Sequence, residues 1–224
     1  MLLISLHLPK TAGTSLRHVL EQRFQTGLLA DYADRPLITP RPHREWQALR
    51  AAWHLQRTGL PPPVRCVHGH FLPLKYRWLD SAPVFATWLR DPVERLISHY
   101  HYWMTATDPR ALPALQRRVV EQQWSLERFC LSRELRDLYH QFLFGFPVRR
   151  FAFIGLVERM EADFAVFERR FLGEAGRLAL PQVNVGRAAI GTRYLQEGPL
   201  RRRIEAFHRR DVELYQAVAS GHLR

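Results

Sequence analysis

The chain has 224 residues, 33 Lys+Arg against 21 Asp+Glu, and a formal net charge of +12. Its 46% hydrophobic and 24% charged residues are those of a globular protein, which excludes a disordered tail, a collagen and a coiled coil. Cys66 and Cys130 are too few for a disulfide framework and read as buried reduced thiols. No Cys-x-x-Cys or Cys/His metal spacing occurs. Only two lysines are present, Lys10 and Lys75, so nearly all the cationic charge is arginine. That charge favours anionic partners: phosphates, sulfates, acidic glycans or nucleic acid. No apolar run approaches the ~18–20 residues of a membrane span. The opening MLLISLHLPK lacks the basic n-region of a signal peptide, so the expectation is a soluble, cytoplasmic chain.

In chain order, residues 2–8 form an apolar run stopped by Pro9, which reads as a buried strand. After a turn at Gly13, Leu16, Val19, Leu20 and Phe24 recur at helical spacing and predict an amphipathic helix over 14–25. Residues 31–63 form a Pro-rich excursion ending in Pro61-Pro62-Pro63, with one helix over 43–56. Residues 64–68 and 84–89 read as strands. Asp91-Pro92-Val93-Glu94 is a helix start: Asp91 caps, Pro92 suits the first position, and Glu94 reaches back as in a capping box. That helix runs to about Met104. Residues 111–143 read as helical with a break near Ser132, 151–156 as a strand, and 161–171 as a helix. Residues 173–198 are polar with little periodicity, and 199–219 form a last helix. Strands alternating with helices predict an α/β fold with a parallel sheet covered on both faces.

Three segments carry chemistry. The first is Pro9-Lys10-Thr11-Ala12-Gly13-Thr14-Ser15 between a strand and a helix. A helix N-terminus presents free N–H groups and a positive dipole end to an anion. Gly13 permits close backbone approach, Thr11, Thr14 and Ser15 add hydroxyls, and Lys10 adds a mobile cation. GxxxxGK[ST] is absent, so this is not a Walker A loop. An ordinary turn with a Ser/Thr cap is the plain alternative.

The second segment is Arg90 to Tyr100. Arg90 ends a strand, where open α/β sheets bind ligands, and Ser98 lies two turns into the next helix. Together they can hold a second anionic group, the arginine by a forked contact. A capped helix with a solvated arginine is the alternative. The third segment is His68-Gly69-His70, where alternation puts both imidazoles on one side. One of them suits a general base, since histidine titrates near neutrality. A metal pair is the rival reading, but no carboxylate lies close by in sequence. A chance pair of loop histidines is the plain one.

These three segments, in this order, resemble the sulfotransferases that use 3′-phosphoadenosine 5′-phosphosulfate (PAPS). The branch they resemble contains heparan sulfate 2-O-sulfotransferase and its short bacterial relatives. His7 to Leu16 resembles that family's 5′-phosphosulfate loop. Leu89 to Arg95 with Ser98 and Tyr100 resembles its 3′-phosphate motif, and His68-Gly69-His70 the segment bearing its base. Weaker echoes are Ile154 to Arg159, Asn184-Val185 and Asp211 to Tyr215, while Leu138 to Gly145 departs from the pattern.

The resemblance implies one domain over 1–224 with a P-loop-like parallel sheet. It implies sulfuryl transfer from PAPS to an acceptor hydroxyl, leaving adenosine 3′,5′-bisphosphate and needing no metal. Lys10 would neutralise the leaving group, and Thr11, Ala12, Gly13, Thr14 and Ser15 would hold the phosphosulfate. Arg90 and Ser98 would hold the 3′-phosphate. His70 is the first choice of base and His68 the second. The 31–63 excursion and the helices of 105–150 are the expected acceptor walls. Their arginines, and tryptophans in or near them such as Trp46, Trp53, Trp78, Trp103 and Trp124, suit a glycan or small-molecule acceptor. The rivals are a nucleotide kinase or NTPase, which needs a Walker loop and a Mg²⁺ carboxylate, and a basic nucleic-acid module, which needs a dense basic face.

Overall fold

The computed structural model describes residues 1–106, 108–173 and 198–222. Asn184-Val185 and nearly all of the polar 173–198 stretch lie outside the described residues. The elements in order are β1 (Leu3–Leu6), α1 (Gly13–Phe24), β2 (Leu28–Ala30), α2 (Arg41–Thr58), β3 (Cys66–Gly69), β4 (Val84–Leu89) and α3 (Pro92–Met104). Then come α4 (Ala114–Glu121), α5 (Leu126–Cys130), α6 (Leu138–Phe142), β5 (Phe151–Leu156), α7 (Met160–Phe167), α8 (Pro199–Phe207) and α9 (Arg209–Ala219).

The strands form one parallel sheet in the order β2-β3-β1-β4-β5. Alternation along β1 decides what each face buries. Leu2, Ile4, Leu6 and Leu8 face a core built with α6 and α9, including Leu138, Tyr139, Phe142, Leu214 and Val218. Leu3 faces the other way, onto Leu16, Val19 and Leu20 of α1 and Phe164 and Phe167 of α7. Helices therefore cover both faces, as the alternating pattern implied. A third cluster joins α3, α5 and α8 through Leu96, Ile97, Phe129, Cys130 and Ile204. Both cysteines are free and buried.

Four local expectations give way to the structure. The edge strand β2 was not anticipated: it is three residues long and has no alternation to read. The 111–143 segment has the break expected near Ser132, where α5 ends at Cys130, but it forms three short helices rather than two, with Gln123 (φ 44°) and Asp137 (φ 48°) left-handed between them. The last helix is two, divided at His208. That imidazole is buried, donates from Nε2 to the Cys130 carbonyl (2.7 Å) and accepts the Asp137 N–H at Nδ1 (3.2 Å). Asp91 does cap α3, with Oδ1 accepting the Val93 and Glu94 N–H groups at 3.0 Å. The reciprocal contact comes from Glu158, whose Oε1 accepts the Asp91 N–H at 2.7 Å, and not from Glu94. Among the described residues no helix is long and apolar enough to cross a membrane.

Candidate active site

The strand order places three chain segments at one edge of the sheet. Central β1 delivers residues 7–15, its neighbour β3 delivers His70, and its other neighbour β4 delivers Arg90. Between them lies a cavity of about 780 Å³. Lys10, Ala12, Gly13, Thr14, Ser15, His70, Arg90 and Ser98 all line it.

The 9–15 loop is tightly wound. Lys10 (φ 68°) and Ala12 (φ 60°) are both left-handed without being glycine. Such residues cost on the order of 1–3 kcal/mol each and cluster at ligand clamps. The Thr11 hydroxyl donates to the Leu8 carbonyl (2.8 Å), so it shapes the loop and its side chain does not face the cavity. Ala12 begins α1 with no side-chain cap, which removes the ordinary capped-turn reading. The first-turn N–H groups remain for a ligand.

Two cations face this opening. Lys10 Nζ sits 4.3 Å from the Tyr102 ring centroid, and burial, then the nearby Arg90 charge, lowers its pKa. Among the described residues no carboxylate pairs with Lys10 or Arg90. Lys75 is a contrast: it is buried, 2.6 Å from Asp31 Oδ2 and 3.5 Å from Asp34 Oδ2. Arg90 is set by its backbone. The Tyr139 hydroxyl donates to the Arg90 carbonyl (2.7 Å) and accepts the Arg90 N–H (3.1 Å). Tyr139 is in turn held by Asp211, whose Oδ2 accepts its N–H at 2.9 Å.

The histidines form a column of three. His68 and His70 share a face, and His7 of the β1 end stacks between them. Its ring lies 5.4 Å from His68 at 10° and 4.4 Å from His70 at 35°. His68 is 1% exposed, does not line the cavity, and places Nδ1 3.0 Å from Ser5 Oγ. Burial pulls its pKa down to about 3. His70 does line the cavity, and its Nδ1 lies 2.5 Å from the His7 carbonyl oxygen. A carbonyl only accepts, so Nδ1 carries the proton and Nε2 keeps its lone pair. Burial lowers the His70 pKa, opposed by that hydrogen bond, so the ring is neutral at pH 7. The geometry separates the two candidates: His70 can exchange a proton with a molecule in the cavity, and His68 is a core residue.

Several lining residues were not singled out from sequence: His7, Tyr32, Arg35, His99 and Phe142. His7 was legible in principle, since it continues the Leu3–Ser5 side of β1. Tyr32, Arg35 and Phe142 come from segments whose path the sequence does not set, whereas His99 follows Ser98 in the helix expected from Asp91 onward. Of the five tryptophans considered for the acceptor, only Trp103 lines the cavity. Trp46, Trp53 and Trp78 are exposed outside it, and Trp124 is buried in the third core cluster.

No family model and no curated protein matches the sequence. Among solved structures the chain is similar to a sulfotransferase from Alicyclobacillus acidocaldarius, with a TM-score of 0.49 and 17% identity over 96% of this chain and 94% of that one. It is also similar to mouse sulfotransferase SULT7A1 complexed with PAP, with a TM-score of 0.46 and 13% identity over 98% of this chain and 88% of that one.

Proposed function

We propose that the chain transfers a sulfuryl group from PAPS to an acceptor hydroxyl by in-line displacement. The observation that carries this is one cavity with two carboxylate-free cations, Lys10 after β1 and Arg90 after β4, and a neutral imidazole after β3. The strand order divides the work. Toward β4, Arg90 and Ser98 take the 3′-phosphate. At the centre, the α1 N-terminus, Thr14 and Ser15 hold the 5′-phosphosulfate. Toward β3, His70 meets the acceptor.

The reaction is mostly positioning and charge stabilisation. The acceptor oxygen forms a bond to sulfur as the bond from sulfur to the bridging oxygen breaks. The acceptor proton passes to His70 Nε2, while the His7 carbonyl holds the ring through Nδ1–H. Lys10 Nζ neutralises the charge that develops on the bridging oxygen. Burial and the Arg90 charge lower its pKa, which makes it readier to donate.

In this reading the acceptor would lie against cavity-lining residues of the 31–63 and 105–150 segments: Tyr32, Arg35, Leu37 and Ile38 from one, Phe142 from the other. Ring faces and a guanidinium suit a carbohydrate hydroxyl, which we take as the first acceptor class. Leu37 and Ile38 favour a second, small phenolic acceptors, and a screen with sulfur-labelled PAPS separates them. The kinase reading needs a strand-end carboxylate for Mg²⁺. Asp91, at that position, caps α3 and pairs with Arg201 at 2.6 Å. Against the nucleic-acid reading, Arg201, Arg203 and Arg209 are each tied to an acid.

Thermal shift tests the core of the proposal. At a hundredfold excess over Kd a ligand adds about 2.7 kcal/mol, or about 5–10 °C for a chain of this size. Adenosine 3′,5′-bisphosphate is expected to give that shift, and AMP and ATP much less. Equal shifts from all three would remove the 3′-phosphate role of Arg90 and Ser98.

A further inference from the structure

Helix α2 carries an aromatic and cationic face that the cavity does not use. Its inner side is small: Ala48 and Ala52 are buried, Arg44 turns in beside them, and the helix packs on the turn Pro73–Tyr76. At 3.6 residues per turn, the side chains opposite Ala48 and Ala52 are Trp46, Arg50, Trp53 and Arg57, with Leu49 at their flank. Trp46 is 55% exposed, Trp53 57% and Leu49 42%. Each tryptophan has an arginine against it: Arg50 lies 4.9 Å from the Trp46 ring centroid and Arg57 3.5 Å from that of Trp53. The one acid in α2, Glu45, is paired with Arg41 at 2.6 Å.

Two neighbouring tryptophans left in water on the outer side of a packed helix mark an interaction surface. Its chemistry narrows the partner. Free cations with no free acid call for an anionic surface. An arginine already lies over one face of each indole, and the exposed indole and Leu49 surface beside it wants an apolar phase. Stacking on a sugar would instead need open ring faces. Indole with arginine is the pairing that settles at a lipid headgroup boundary. We propose that this face of α2 docks the chain on a membrane surface bearing anionic headgroups. Trp46, Leu49 and Trp53 enter the interfacial layer, and Arg50 and Arg57 meet the headgroup phosphates. The contact is peripheral and needs no spanning helix.

Co-sedimentation with extruded vesicles tests this, using phosphatidylcholine alone or with one quarter phosphatidylglycerol. The protein is expected on the anionic vesicles and not on the neutral ones, with binding that weakens as salt rises. Trp46→Ala/Trp53→Ala and Arg50→Gln/Arg57→Gln are each expected to lose about tenfold or more in partitioning, at an unchanged melting temperature. No binding to anionic vesicles, or variants that bind like the parent, overturns the proposal. So does retention on heparin that depends on both tryptophans without any vesicle binding, which would assign the face to a glycan. A dimer that Trp46→Ala/Trp53→Ala dissolves, again without vesicle binding, would assign it to a second copy.

Discussion

His68 and His70 stand two residues apart, yet titration of each is expected to govern a different property. In the folded chain burial holds the His68 pKa at about 3, against 6.5 when exposed. Between those values the unfolded state binds one more proton than the folded state, so νU − νN is positive and stability rises with pH. Read downward, stability is lost from pH 6.5 toward 3 at about 1.4 kcal/mol per pH unit. From pH 6.5 to pH 5 this single group accounts for ~2 kcal/mol. His68→Asn keeps a polar atom near the position of Nδ1, for Ser5, and takes up no proton. It is expected to cost about 1–3 kcal/mol at pH 7 through lost packing. That deficit should shrink by ~2 kcal/mol at pH 5, because the variant escapes the protonation penalty. Urea unfolding followed by tryptophan fluorescence, from pH 5 to 7, measures it. Turnover of the folded variant at pH 7 should stay within a few-fold of the parent, whereas His70→Asn should lose about 10²–10⁴-fold. Parallel pH profiles for parent and variant would show that His68 is not a buried neutral imidazole. A collapse of turnover in His68→Asn with full activity in His70→Asn would reverse the assignment of the base.

Lys10→Ala is expected to lower turnover by about 10²–10³-fold, with a smaller loss of adenosine 3′,5′-bisphosphate affinity. Because burial and Arg90 lower the Lys10 pKa, the alkaline fall in rate should begin below the usual lysine range of pH 10.5 and be absent in Lys10→Arg. A pH–rate profile with no such limb would remove Lys10 from the chemistry. Tyr139→Phe removes both hydrogen bonds that set the Arg90 backbone, at a cost of about 1–3 kcal/mol in stability. Calorimetry should show weaker binding of adenosine 3′,5′-bisphosphate but unchanged binding of AMP. Equal weakening of both would mean that Tyr139 serves only the core.

The cavity's chemistry was more legible than its walls, and the reason is distance along the chain. The 9–15 loop, Arg90 with Ser98, and His70 each follow a strand whose apolar run is plain. The rule that ligands sit beyond strand ends then brings them together. The departures arise where one tertiary contact outweighs local propensity. His208 reads as one more position in a long helix, but its imidazole bonds the Cys130 carbonyl across 78 residues and ends α8 there. Glu94 sits at the right spacing for a capping box, yet Glu158 reaches the same N–H from the end of β5. Tyr139 lies in the very segment that departs from the resembled pattern, and its work on Arg90 needs the fold to close. The charge also resolves into parts. Lys75 is spent on Asp31 and Asp34, which leaves Lys10 as the lysine free to act.

Gly13 changes meaning most between sequence and structure. Its sequence context suggests that a missing side chain lets the backbone approach a phosphate. The structure supplies a nearer reason: a Cβ at residue 13 would fall 1.8 Å from His7 Nε2. The His7 ring cannot simply swing away, because His68 and His70 close it in on both sides. Gly13→Ala must therefore displace the histidine column or the start of α1, at about 1–3 kcal/mol. His7→Ala alone leaves a void and costs roughly 2–4 kcal/mol. In the double variant the new methyl occupies space that the ring has vacated, so the two costs should fall short of their sum by about 1–3 kcal/mol. A double-mutant cycle on urea stability reads this directly. Additive costs would mean that something other than His7 excludes a side chain at residue 13. A coupling of that size would tie the 9–15 loop to the residue whose carbonyl orients His70, so that one glycine maintains both halves of the cavity.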